Sequence, residues 1–183
     1  MYTHTLHHNH QPQLTNAVIL AGLKRGDLAA STADALAAAG AETIICTGHC
    51  KPELQLVIDH INRKYKKVKM VFVTADPRSL ASFREAGHTI KKMGLTIDGF
   101  IGFPSVMAVP WEMTGDGHES HFQRNYLCYF LLVNIILDLM APGSRIVLVT
   151  SCVRTEAPAP TWDDVGFSVS SNPLRMGFAV LLK

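Results

Sequence analysis

Short runs of apolar residues alternate with longer segments of helical pattern along most of the chain. The apolar runs are four to six residues long and rich in β-branched residues, which is typical of strands. Several of the intervening segments end at Gly or Pro, which stop helices. The predicted strands are 17–20, 43–46, 68–73, 97–101 and 145–150. The predicted helices are 28–39, 52–64, 77–93 and 118–139.

The uniform apolar character of these runs predicts the fold class. A strand that is apolar throughout is buried on both faces, and strands that alternate with helices form a parallel sheet covered on both sides. Right-handed crossovers then give an α/β, Rossmann-like, doubly wound parallel sheet with helices on both faces. We expect a single domain over residues 15–183, with its sheet truncated after the fifth strand.

The composition supports one folded domain and argues against nucleic acid and membrane as partners. With 183 residues, 48% of them hydrophobic and 17% charged, the chain is long enough for a sizeable core and too apolar to be disordered. A net charge of +2 gives no electrostatic case for nucleic acid. The most apolar stretch, 126–140, contains Asn134 and Asp138 and is too short to span a membrane. We therefore expect neither nucleic acid nor a membrane as a partner.

Histidines and cysteines would indicate a metal site, but their arrangement predicts none. Residues 1–14 contain four histidines and are predicted to be a disordered tail, because nothing local would hold such ligands in place. Cys46, His49 and Cys50 do not have the spacing of a structural zinc site. The four cysteines form no paired framework, which indicates a reducing, cytoplasmic location.

Several specific segments carry a family resemblance. They are VMAVPW (106–111), TGDGHE (114–119), FQRNYL (122–127), SRIV (144–147) and VTS (149–151). In these segments, which follow in the family's order, the chain resembles the short-chain dehydrogenase/reductase family and, within it, the retinol dehydrogenases. The resemblance covers about residues 17–167 and implies a cofactor loop directly after the first strand.

The cofactor positions depart from the family pattern. That loop normally has the form Thr-Gly-x-x-x-Gly-x-Gly, of which Gly22 and Gly26 remain while Leu28 replaces the last glycine. A leucine there is expected to crowd the pyrophosphate, and Asp27 to repel it. Asp76 matches the family position that contacts adenine, but residues 46–50 offer neither the acid nor the arginine that usually recognises the ribose. We therefore expect no cofactor, with NADP as the alternative.

The catalytic positions depart as well. By resemblance, Asn125 matches the family's helix asparagine and Ser151 its catalytic serine. The tyrosine and lysine that complete the family's site correspond to Gly177 and Leu181. His118 and His121 stand three residues apart, one turn before Asn125, so a His–Asn–Ser group is the candidate for proton transfer without a cofactor. Solvated histidines in a first helical turn are the other interpretation.

These observations leave three functional hypotheses. The main one is a non-redox enzyme, such as an isomerase, a cyclase or an aldol-type catalyst, that acts on a small apolar metabolite. The alternatives are an NADP(H)-dependent short-chain dehydrogenase/reductase and a non-catalytic pseudoenzyme that binds a partner. The family buries its long helix in a dimer interface, so a homodimer through helix 118–139 is also expected.

Overall fold

The sheet expected from the sequence is present. The computed structural model describes residues 17–24, 26–104, 106–107 and 109–150. Five strands lie in this part of the chain: β1 (Ala17–Ala21), β2 (Thr43–Gly48), β3 (Lys69–Thr74), β4 (Ile97–Gly102) and β5 (Met140–Leu148). They form one parallel sheet in the order β3-β2-β1-β4-β5, so the predicted doubly wound α/β fold is confirmed. The predicted tail, 1–14, lies outside the described residues.

Helices cover both faces of the sheet. On one face pack α1 (Leu28–Ala38) and α2 (Lys51–Lys64), and on the other α3 (Leu80–Lys92) and α5 (Cys128–Ile136). Central strand β1 is buried at all five positions, because it has a neighbour on each side and helices on each face. This explains why its sequence is apolar throughout rather than alternating.

Side chains at the helix ends account for where the helices begin and end. Asp27 accepts a hydrogen bond from the Ala30 amide at 3.2 Å and so caps α1, while Ser79 caps α3 through the Ser82 amide at 3.2 Å. Beyond the ends of these two helices, Gly40 and Gly94 have positive φ angles of 89° and 63°. A glycine takes this conformation without steric cost, so it stops a helix cleanly.

The predicted helix 118–139 is divided into four pieces and begins later than expected. It starts at α4 (Ser120–Phe122), because the Glu119 carboxylate caps the free amides there. A π-helical turn, Gln123–Leu127, separates α4 from α5, and a 3-10 turn, Leu137–Leu139, follows α5. A π-helical turn is wider than an α-helical turn, so it rotates the residues that follow it about the helix axis. Such turns are frequent at functional sites.

The fifth strand begins earlier than its sequence indicates. Met140 pairs with Ile97, and the register then shifts so that Gly99 pairs with Arg145. Gly143, which has a φ of 83°, lies in this irregular stretch, so the gap between the predicted helix 118–139 and the predicted strand 145–150 becomes a bulge inside β5. The side chains of Ile146, Val147 and Leu148 are exposed among the described residues.

The packing of α3 against α5 depends on one small residue. A Cβ atom at Gly87 of α3 would lie 2.7 Å from Cγ2 and 3.1 Å from Cβ of Ile135 in α5. Gly87 is buried, so the two helices approach each other there without an intervening side chain. A larger residue at this position would force the helices apart.

We expect Gly87→Val to lower the free energy of unfolding by about 1–3 kcal/mol, because the added atoms overpack the contact with Ile135. Urea unfolding measures this change. Gly115→Val is the matched control: a Cβ at Gly115 meets nothing within 4 Å, so its effect should stay within about 0.5 kcal/mol. Ile135→Ala should partly offset Gly87→Val. Equal losses in the two valine variants, or strict additivity with Ile135→Ala, would contradict this packing account.

Candidate functional site

The carboxyl ends of three strands meet at one crevice. Ala21, the last residue of β1, pairs with Thr47 of β2 on one side and with Gly102 of β4 on the other. Strand order reverses between β1 and β4, since β2 and β3 lie on one side of β1 and β4 and β5 on the other. In doubly wound sheets, ligands bind at such a reversal, outside the carboxyl ends of the strands.

A turn that contains two glycines forms one wall of this crevice. Gly22 and Gly26 have φ angles of 88° and 75°, which glycine adopts freely. The Thr47 carbonyl accepts hydrogen bonds from the amides of Gly22 and Leu23, at 3.2 and 3.1 Å, and ties the turn to β2. A Cβ at Gly26 would meet nothing within 4 Å, so the turn faces open space at that point.

Tyr129 fills the space beneath the turn. A Cβ at Gly22 would lie 2.5 Å from the Tyr129 hydroxyl oxygen, and a Cβ at Gly102 would lie 2.8 Å from its ring. Burial raises the pKa of Tyr129, and nearby Cys128 and Asp27 raise it further. The hydroxyl therefore stays protonated at neutral pH and acts as a hydrogen-bond donor or acceptor rather than as a base.

Two residues at the start of α1, Asp27 and Leu28, affect whether a phosphate can bind there. Asp27 places its carboxylate on the Ala30 amide at the start of the helix, where a phosphate would otherwise bind. Leu28 is 62% exposed and belongs to neither core cluster. An unpacked leucine changes rotamer at little cost, so Leu28 does not close the crevice in the way expected from the sequence.

Asp76, the residue matched to adenine recognition, lies beyond the end of β3 and is paired with Arg78. Its Oδ1 accepts a hydrogen bond from the Arg78 amide at 2.9 Å, and its Oδ2 lies 3.2 Å from Arg78 Nη2. Burial acts to raise the pKa of Asp76, but the hydrogen bonds and charge of Arg78 outweigh it and hold the pKa below its usual value. The Asp76 carboxylate is therefore ionised and already engaged.

A cavity of about 90 Å³ forms the deep end of the crevice. Its walls come from the glycine turn, the ends of β2 and β3, α3, α5 and the π-helical turn. The polar and charged side chains that line it are those of Lys24, Thr47, His49, Arg124 and Tyr129. Gly22 and Gly48 contribute backbone. Residues from strand ends, from the glycine turn and from the helical segment that carries Asn125 thus border one cavity.

Asn125 holds the connection between β4 and α4. Its Oδ1 accepts a hydrogen bond from the Val106 amide at 3.0 Å, and its Nδ2 donates to the Val106 carbonyl at 2.6 Å. Asn125 is buried, and Val106 lines the cavity. The side chain thus uses its oxygen and one of its two N–H groups on backbone, so it positions a wall of the site.

His121 and Glu119 form a buried pair. His121 Nδ1 donates to Glu119 Oε1 at 2.7 Å, and Glu119 also accepts from the His121 and Phe122 amides at 2.9 and 2.8 Å. Burial acts to raise the pKa of Glu119, but these hydrogen bonds and the histidine charge outweigh it and lower the pKa. His121 Nε2 is buried without a hydrogen-bond partner in the described chain.

The candidate residues are only partly brought together. Gly22 lies at the crevice, and Asn125 holds its wall. Neither His118 nor His121 lines the cavity. His118 is half-buried, and its backbone N–H and C=O groups bond to Thr114. Ser151 lies outside the described residues, so its place in the predicted His–Asn–Ser group stays a prediction.

Sequence reasoning missed two residues of the cavity, Tyr129 and Arg124. Tyr129 follows Asn125 by four positions, which places both on one side of the helical segment and was a usable signal. Arg124 precedes Asn125 directly, and its direction depends on the π-helical turn, which no pattern in the sequence announces. Among the described residues, no cluster of His, Cys, Asp or Glu has the geometry to hold a metal ion.

Comparison with known proteins assigns the family. The model of the short chain dehydrogenase family matches residues 16–162. The chain belongs to the short chain dehydrogenase family. Human polyprenol dehydrogenase is 33% identical to it over 149 residues, which cover 78% of this chain and 44% of that protein. The chain spans less than half the length of the curated relatives that head this comparison.

Solved structures share the fold. An uncharacterized protein from Mycobacterium paratuberculosis superposes with a TM-score of 0.74 at 23% identity, covering 92% of this chain and 58% of its own. A short chain dehydrogenase from Burkholderia cenocepacia J2315, crystallised in complex with NADP, superposes with a TM-score of 0.64 at 20% identity. That match covers 90% of this chain and 64% of the Burkholderia protein.

These findings correct two expectations. The non-redox isomerase, cyclase or aldol-type function is wrong, because the family match and the named relatives are dehydrogenases and oxidoreductases. The expectation that no cofactor binds is wrong as well, because a neighbour in the same family holds NADP. The described residues fit such a cofactor: the glycine turn keeps its two positive φ angles and opens on free space at Gly26.

We expect Asn125→Ala to lower the free energy of unfolding by about 1–3 kcal/mol, because it leaves both backbone groups of Val106 without their partner. The Val106 amide should also exchange its hydrogen faster, which amide-exchange NMR measures. Asn134→Ala is the matched control, since Asn134 is exposed and makes one bond, to the Phe130 carbonyl. Equal destabilisation by the two substitutions, or unchanged exchange at Val106, would show that Asn125 does not hold this wall.

Proposed function

We propose that this protein is an NADP(H)-dependent oxidoreductase of the short chain dehydrogenase family. The observation that carries the proposal is the crevice at the strand reversal, where a glycine turn with two positive φ angles opens beside the ends of β1, β2 and β4. The family match over residues 16–162 supports it. NADP is the form of the cofactor found in the Burkholderia cenocepacia structure, and we propose the same form here.

Residues of the crevice would hold this cofactor. Gly22 and Gly26 give the pyrophosphate a close backbone approach, and Thr47 and His49 border the part of the cavity at the end of β2. Asp76 would lie near the adenine end, as the family pattern implies. When bound, the nicotinamide supplies the hydride acceptor or donor.

The chain's own groups would orient the reactants. Tyr129, protonated and buried under Gly22, keeps the turn in place from below. Asn125 fixes the wall at Val106. We propose that Ser151, just beyond β5, holds the substrate oxygen. We also propose that His118 or His121 moves a proton. The Nε2 atom of His121 supports this role, because it has no hydrogen-bond partner in the described chain. His121 is fully buried, so other groups would have to relay the proton between it and the substrate.

An apolar alcohol, or the corresponding carbonyl compound, is the proposed small-molecule substrate. Three large apolar side chains, those of Met107, Trp111 and Met113, are exposed on the connection that Asn125 ties down. Val106, next to Met107 in the chain, lines the cavity, and we propose that these side chains give an apolar substrate its approach to it. The name of the human relative, polyprenol dehydrogenase, supports a substrate of this class.

A homodimer through the helical segment 118–139 is a further proposal. Phe130 and Leu137 are exposed, and Phe130 continues an aromatic row with Phe122 and Tyr126. Ile136, in contrast, is fully buried, so this segment leaves less apolar surface than its sequence indicates. Association of two copies would cover the exposed part.

We also keep a cytoplasmic location as a proposal, and the thiols support it. Cys46, Cys50 and Cys128 are free, and burial raises the pKa of Cys46 and of Cys128 to about 12. Within the part of the chain that the structure describes, none of the helices has the length and apolar character needed to cross a membrane.

We expect NADPH to bind with a dissociation constant of about 10 µM or lower, measured by the quenching of protein fluorescence. Gly26→Ala should weaken this binding by about tenfold or more, because the methyl group enters the open space beside the turn. Gly40→Ala is the matched control: Gly40 also has a positive φ and open space around it, but it lies at the other end of α1. The same loss in both variants, or no NADPH binding by the native protein, would refute the proposal.

A further inference from the structure

Arg124 is a cation of the crevice that has no partner among the described residues. It lines the cavity beside Gly22, and its Nε is buried without a hydrogen-bond partner in that part of the chain. Within the described part of the chain it forms no ion pair. A guanidinium group that loses water without gaining an acceptor destabilises the fold, so such groups are normally paired. An anionic oxygen brought by a ligand would satisfy it.

The surroundings of Arg124 favour an anion as that ligand. Lys24 and His49 line the same cavity, and no Asp or Glu is among its described lining residues. The nearest acidic candidate in sequence, Asp76, follows lining residue Ala75 but is paired with Arg78. Arginine is well suited to a phosphate, because its planar group donates two parallel hydrogen bonds to two oxygens.

The usual phosphate partner is occupied in this chain. Family members bind pyrophosphate at the start of the helix that follows the glycine turn, where free amides and the helix dipole attract it. Here the Asp27 carboxylate caps one of those amides, that of Ala30, and its negative charge acts on Tyr129, which lines the cavity with Arg124. A bound pyrophosphate therefore needs a cation from another element.

We propose that Arg124 binds the pyrophosphate of the dinucleotide and replaces the phosphate-binding role of the α1 N-terminus that Asp27 occupies. This inference rests on the proposed function where it names a dinucleotide as the ligand. The anion site itself is inferred from the guanidinium, which has no partner among the described residues. Arg124 thereby offsets the repulsion that Asp27 would otherwise exert on the cofactor. Because NADH and NADPH share the pyrophosphate, Arg124 should contribute equally to the binding of both.

The test compares three ligands, NADPH, NADH and inorganic pyrophosphate, by isothermal titration calorimetry. Arg124→Gln should weaken all three by about tenfold or more, and Arg124→Lys should recover part of the loss. Arg84→Gln is the matched control, because Arg84 is exposed on α3 and its substitution removes the same charge. Asp27→Asn keeps a capping oxygen and removes the negative charge, so it should strengthen binding and reduce the effect of Arg124→Gln.

The outcomes separate this inference from the proposed function. If NADPH binds equally well to the native protein and to Arg124→Gln, the role of Arg124 is overturned while the function stands. If pyrophosphate binding depends on Arg124 but no dinucleotide binds, the anion site stands and the function fails. If none of the three ligands binds, both fail.

A purely structural role for Arg124 predicts a different result in the ligand-free protein. Removal of an unpaired, partly buried charge should leave the melting temperature of Arg124→Gln unchanged or raise it. A structural role requires a lower melting temperature together with any loss of binding. Parallel loss of stability and affinity would therefore overturn the proposal.

Discussion

Two glycines at the carboxyl ends of neighbouring strands make room for the ring of Tyr129, and the site depends on this close contact. Gly22 begins the turn that follows β1, and Gly102 is the last residue of β4. Parallel pairing brings both to the same edge of the sheet, and Tyr129 from α5 packs against them there. A side chain at either glycine would displace the ring, the turn or both, and the crevice would lose its floor.

The sequence contained enough information to predict the fold because burial and pattern coincide in this sheet. Strand β1 is apolar and buried at every position, and β2 is apolar and buried at 44–46. The helix bounds follow from local signals such as the Asp27 cap and the glycine at position 40. The family segments around Asn125 marked the correct helix. These features are local in the sequence, so they can be recognised without knowledge of tertiary contacts.

The site was harder to predict because its geometry depends on tertiary contacts. Asn125 matched the family asparagine, but its amide group is used to clamp Val106. His121 resembled a solvent-facing histidine, yet it is buried against Glu119. Leu28 resembled an obstruction, but it extends into solvent. The π-helical turn, which sets the direction of Arg124, leaves no periodic trace in the sequence. The expectation of a non-redox enzyme was wrong because it relied on the family residues that this sequence lacks.

The central claim is that the crevice beside Gly22 holds a nicotinamide dinucleotide, and hydrogen exchange with and without NADPH tests it most directly. The account predicts slower exchange in peptides that cover residues 21–28 and 47–50, because the glycine turn and the end of β2 border the crevice. Peptides from the last turn of α3, residues 88–94, should exchange at an unchanged rate. No protection at 21–28 with saturating NADPH, or protection confined to another surface, would contradict the account.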